Sequence, residues 1–86
     1  MRVLIPSPLR SYTRRLSEVD VSGADVAALL ENLDTAFPGM RFRMIDEQSR
    51  IRPHIRIFVN GEITRDLRAS LNLDDEVQIV CALSGG

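Results

Sequence analysis

An α+β domain, with one main helix packed across a mixed sheet, is the fold class this 86-residue sequence predicts. Two observations carry that prediction. Short apolar runs with strand-like alternation stand near the start, in the middle and near the end of the chain. A single amphipathic stripe of helical spacing falls between the first of them and the rest, giving the order strand, strand, helix, strand, short strand, final strand.

Arg2-Val3-Leu4-Ile5 is the first apolar run, stopped by Pro6 and Pro8, which a strand tolerates only at its edge or end. After a loop over residues 9–13, Arg14 to Val21 sets Leu16, Val19 and Val21 among Arg15, Ser17, Glu18 and Asp20, an imperfect second strand. Ser22 then offers an N-cap oxygen, with Asp25 three residues on as the acidic half of a variant capping box. Val26, Leu29, Leu30, Leu33 and Phe37 follow at i, i+3, i+4 spacing, so a helix over residues 23–37 is expected, ended by Pro38-Gly39.

Residues 40–54 mix apolar Met40, Phe42, Met44 and Ile45 with a polar Asp46-Glu47-Gln48-Ser49 stretch, which predicts a short helical turn and a loop. Arg41, Arg43, Arg50 and Arg52 in this segment read either as a basic patch for an acidic partner or as a solvated loop. Ile55, Ile57 and Val59 alternate with Arg56, Phe58 and Asn60 in a third strand, and Asn60-Gly61 is a strong hairpin signal. Glu62-Ile63-Thr64 returns briefly. Beyond the acidic Asp74-Asp75-Glu76, residues 77–83 form the final strand, which runs without a linker into Ser84-Gly85-Gly86.

Alternation turns Val77, Ile79 and Cys81 toward the helix and leaves Gln78, Val80 and Ala82 outward. Phe58 in the third strand and Leu4 with Pro6 in the first fall outward by the same count. These side chains are either scattered surface hydrophobes or one contiguous docking patch.

The composition narrows the chemistry. Eighty-six residues build one domain with a small core, expected over residues 1–83 with a tail at 84–86. The formal net charge is −1, so no bulk pull toward nucleic acid or anionic membrane is expected. Neither a bilayer-length apolar run nor a secretory signal is evident near Met1, and a cytoplasmic location is the expectation. With one Cys and one His, a cluster of metal-binding thiols and imidazoles is not expected. Cys81 lies in an apolar run, where it reads as core rather than as a nucleophile, and His54 reads as a loop residue. All 11 basic residues are Arg, so no lysine is present to accept an isopeptide bond from another copy. Gly85 and Gly86 carry no side chains and can thread a narrow cleft to present an α-carboxylate; a frayed end is the plainer reading of the same residues.

Val59-Asn60-Gly61-Glu62, then Leu73-Asp74-Asp75-Glu76-Val77, then Leu83-Ser84-Gly85-Gly86 together resemble the MoaD/ThiS family of ubiquitin-like sulfur carriers. Asp75 departs from the family, which typically has Gly between two acidic residues. The resemblance implies a β-grasp fold and a protein that is a substrate rather than a catalyst, with no cofactor of its own. A ubiquitin-activating-type enzyme would use ATP to adenylate the carboxylate of Gly86, and a sulfur donor protein would then yield a thiocarboxylate for a sulfur-accepting synthase. Gly85, Ser84 and Leu83 would be recognised as the tail, and Leu4, Pro6, Phe58 and Val80 would dock the partner. Pathways making cysteine, thiamine or another sulfur-containing metabolite are implied first. The small subunit of molybdopterin synthase, a protein modifier and a plain interaction module are the alternatives.

Overall fold

The computed structural model describes residues 1–82. Five strands form one sheet: β1 (Arg2–Leu4), β2 (Glu18–Asp20), β3 (Ile55–Val59), β4 (Glu62–Thr64) and β5 (Glu76–Cys81). Their spatial order is β2-β1-β5-β3-β4. β5 runs parallel to β1 and antiparallel to β3, and the β1–β2 and β3–β4 pairs are antiparallel, so the sheet is mixed as expected. The last strand in sequence is therefore the central one in space.

Helix α1 (Val26–Ala36) covers one face, and the short helix α2 (Met40–Met44) is the helical turn predicted within residues 40–54. The predicted stripe forms the core: Val26, Leu29, Leu30 and Leu33 are buried with Val3, Val19, Ile55, Ile57, Val77 and Ile79 from the sheet. Met40, Met44 and Ile45 close its margin.

Several boundaries differ from those the sequence predicts, the first strand ending at Leu4 and the helix at Ala36, each one residue early. The helix starts at Val26 rather than 23, because Asp25 and not Ser22 is the N-cap: its Oδ1 accepts the Ala28 N–H at 2.8 Å. Two further N–H groups of the first turn donate to a loop distant in sequence, Val26 to the Ala69 carbonyl and Ala27 to the Leu67 carbonyl. Gly23, before the cap, packs so closely on the helix that an added Cβ would sit 2.4 Å from the Leu29 nitrogen, so a side chain does not fit there. The second strand contracts from residues 14–21 to Glu18–Asp20, since Arg14 and Arg15 take left-handed φ values of 55° and 67° and break the extended run. Leu16 is consequently exposed instead of facing the core. Before it, a 3₁₀ turn at Ser7–Leu9 leads into the loop expected over residues 9–13, which the buried Thr13 organises, its hydroxyl 2.8 Å from the Leu16 carbonyl. The final strand begins one residue early, at Glu76, and ends at Cys81.

Candidate functional site

The face of the sheet opposite α1 carries the candidate site, and cross-strand register assembles it. Leu4 pairs with Gln78, Gln78 with Phe58, and Phe58 with Ile63, so these four side chains form one row across four strands. One step toward the end of β5, Val80 pairs with Arg56. This register puts Leu4, Phe58 and Val80 on the open face, and Pro6, just beyond β1, borders the same cleft as Leu4 and Val80; all four are half-buried. Ile63, 51% exposed, extends the row to the sheet edge. Sequence reading missed it in so short a strand, although a two-residue Asn60-Gly61 loop sets residue 58 opposite residue 63.

Beside this row lies a cleft of about 650 Å³, bounded by Leu4, Pro6, Pro8, Arg10, Val80 and Cys81. β5 runs out along this cleft. At Ala82 the chain is still tied to the sheet, its N–H donating to the His54 carbonyl at 2.7 Å. Leu83, Ser84, Gly85 and Gly86 lie outside the described residues.

The opposite end of β5 is set by a polar clasp. Asn60, the left-handed first residue of the β3–β4 turn (φ 51°), accepts the Glu76 N–H at 2.9 Å and donates to Asp75 Oδ1 at 2.9 Å. Asp75 Oδ2 accepts the Asn72 N–H at 2.8 Å, and these contacts, the Asn72 N–H foremost, hold its carboxyl below the usual carboxylate range. Asp75 is not among the residues at positive φ, so its turn needs no glycine.

Other expectations resolve residue by residue. Cys81 packs against the core and burial pushes its thiol up from the ordinary value, which disfavours the thiolate. His54 is an exposed loop residue. The four arginines of residues 41–52 do not form one patch. Arg43 Nε donates to the Tyr12 hydroxyl at 2.5 Å, whereas Arg52 stacks 4.8 Å above the Phe42 ring and donates to the Phe42 carbonyl. Arg41 is half-buried and Arg50 is exposed. Among the described residues, no group of three His, Cys, Asp or Glu side chains is placed to hold a metal, and no helix is long and apolar enough to cross a membrane.

A sequence model of the ThiS family matches residues 3–86, from the first strand to the final glycine. The chain belongs to the ThiS family. It is 32% identical to the sulfur carrier protein CysO of Mycobacterium tuberculosis (strain ATCC 25618 / H37Rv) over 89 residues, covering 98% of this chain and 96% of that one. Solved structures agree. A chain of the BexX/CysO complex of Amycolatopsis orientalis superposes with a TM-score of 0.92 at 28% identity, covering 99% of this chain and 98% of that one. Mycobacterium tuberculosis CysO gives 0.89 at 29% identity over 95% and 98% of the two chains. The small archaeal modifier protein 1 of Methanosarcina acetivorans gives 0.82 at 28% identity over 99% and 94%. The fold is thus the β-grasp, and this ThiS-family member places a mixed open face beside its outgoing central strand.

Proposed function

We propose that this protein is a cytoplasmic sulfur carrier whose Gly86 carboxylate is the reacting group. The observation that carries the reading is the family match running through Gly85 and Gly86, on a fold shared with CysO carriers. A carboxylate is a poor electrophile until its oxygen becomes a good leaving group. Attack of that oxygen on the α-phosphorus of ATP forms an acyl adenylate and releases pyrophosphate. Hydrosulfide delivered by the sulfur donor then adds to the carbonyl carbon, the bond from that carbon to the phosphate oxygen breaks and AMP departs, leaving a thiocarboxylate. On this reading the chain supplies the substrate group and a docking surface, and the catalysts are its partners: an ATP-dependent ubiquitin-activating-type enzyme, a sulfur donor protein and a sulfur-accepting synthase. Leu4, Pro6, Phe58, Ile63 and Val80 are the proposed contacts for the adenylating enzyme, with residues 84–86 as the tail.

Intact-mass analysis of the protein incubated with its cognate adenylating enzyme, ATP and sulfide tests this. One oxygen exchanged for sulfur is expected; unmodified carboxylate under conditions that activate a related carrier overturns it.

A protein-modifier function is the second reading, favoured by the likeness to small archaeal modifier protein 1. With no lysine in the sequence, such a modifier would not build chains on its own side chains. Isopeptide-linked conjugates in place of a free thiocarboxylate are the outcome that selects it.

A further inference from the structure

The net charge of −1 conceals a separation of charge along the strand direction. Because β1 and β5 are parallel while β2 and β3 oppose them, one end of the sheet gathers the end of β5, the loop leading into β2, the segment before β3 and the residues after β4. Arg14 and Arg15 lie in the first of these loops, Arg50 precedes β3, and Arg65 and Arg68 follow β4; all five are exposed. At the far end stand Asp20, Glu62, Asp74, Asp75 and Glu76, with Arg2 among them, while Glu18, Asp46 and Asp66 lie at the arginine end and offset part of its charge. The three ion pairs among the described residues are Met1–Asp20, Arg2–Glu18 and Arg2–Glu76. None involves the five arginines.

The arginines fall into two groups flanking the outgoing β5. Arg14 and Arg15 border a hollow of about 460 Å³ shared with Ser7, Arg10 and Ser11. Arg50, Arg52, Arg65 and Arg68 rim a second hollow of about 550 Å³ with a single carboxylate, Asp66, among them, floored by Ile51, Ile55 and Leu67. With strands about 4.8 Å apart, the two edges of a five-stranded sheet stand roughly 20 Å from one another. That exceeds the Debye length of about 8 Å at physiological salt, so each group must find its own counter-charge.

We infer that these arginines form a basic collar around the outgoing chain and dock against carboxylates rimming the active-site mouth of the enzyme that processes Gly86. The inference rests on the proposed function and names the chemistry of the partner: an apolar centre for the Leu4–Phe58–Val80 face, edged on two sides by Asp and Glu. The charge separation would orient the carrier tail-first toward such a mouth before contact. A nucleic acid fits less well. Its phosphates would meet an acidic far end, the two arginine groups do not form one stripe, and the Tyr12 and Phe42 rings already carry Arg43 and Arg52.

The test measures association of the full chain with its adenylating enzyme over a salt series. Arg14→Gly/Arg15→Gly removes two charges at positions whose left-handed backbone suits glycine, and Arg65→Ser/Arg68→Ser removes two exposed charges, so both pairs are expected to stay folded. Each pair is expected to slow association, and the quadruple variant to slow it about 10- to 100-fold with a flattened salt dependence. Val80→Asp serves as comparison, weakening binding while the salt dependence persists. If the quadruple variant associates like wild type while Val80→Asp does not, the collar is wrong and the proposed function stands. If wild type fails to bind the enzyme at all, both are wrong. Tight binding of a single-stranded RNA oligonucleotide that the quadruple variant loses, with enzyme association unchanged, reassigns the collar to nucleic acid.

Discussion

Val80 and Ile79 are neighbours in β5 with opposite environments, and the contrast makes a sharp test. Ile79 is buried against the helix, whereas Val80 is half-buried on the open face across from Arg56. A carboxylate introduced by Val80→Asp would face the Arg56 side chain and solvent, so the fold is expected to survive. Its desolvation in the docked complex should cost a few kcal/mol, roughly a hundredfold in affinity for the adenylating enzyme. Ile79→Asp buries an unpaired carboxylate and should unfold the domain. Circular dichroism and a binding titration read both outcomes, and an unfolded Val80→Asp with a folded Ile79→Asp would reverse the assigned faces.

Asp75 gives a pH-dependent prediction. Its carboxyl is held below the ordinary value chiefly by the Asn72 N–H and then by the Asn60 amide. A group whose folded-state pKa is depressed contributes stability above its unfolded value, near 3.9, and loses that contribution as pH falls through the lower folded value. Asp75→Ala should therefore lower the urea midpoint at pH 7, and the gap to wild type should shrink on acidification below about pH 4. A gap independent of pH would show that the charged form is not what the clasp holds.

At the scale of elements, helix α1 depends on a cap and on a borrowed loop. Asp25→Ala removes the acceptor for the Ala28 N–H and is expected to cost about 1 kcal/mol, seen as a lowered melting temperature. Ser22→Ala should be nearly silent, since Asp25 occupies the cap position. Equal losses from the two substitutions would restore Ser22 as a cap. The helix stripe was legible in the sequence because burial imposes a 3.6-residue period on apolar side chains whatever they face. Its first residue was not legible. The Ala69 and Leu67 carbonyls that receive two of its N–H groups stand about forty residues away along the chain. The contraction of the second strand was hidden for a related reason: nothing in the Arg14-Arg15 side chains signals a left-handed backbone, which the packing of Thr13 and the loop around it imposes.

For the molecule as a whole, the proposed function separates the reacting group from the fold. Among the described residues, the core cluster reaches Ile79 along β5 and includes Cys81 only as a partly buried neighbour. Deleting Gly86 is expected to abolish thiocarboxylate formation while leaving the thermal midpoint within about 4 °C of wild type, because a change of less than about 0.5 kcal/mol, typical of surface positions, shifts a domain of this size by no more than that. A melt on the full chain and the truncated chain decides it, a large drop showing the tail to be packed structure instead.

The sequence by itself determined the element order, the helix-facing set Val77, Ile79, Val26, Leu29 and Leu33, and the Asn60-Gly61 hairpin, since each is written in local periodicity or in a turn's demand for positive φ. It also supplied the three motifs that led to the family. What only the tertiary structure decided is everything that needs strands far apart in sequence to become neighbours. β5 lies centrally between β1 and β3, so Leu4, Phe58 and Val80 share one surface with an unforeseen Ile63. The same strand directions gather arginines from three loops around the outgoing chain and set Asp20, Glu62, Asp74 and Glu76 at the other end. Alternation along a strand gives each side chain its face, but only pairing between strands gives it its neighbours, because pairing is settled by burial over the whole core.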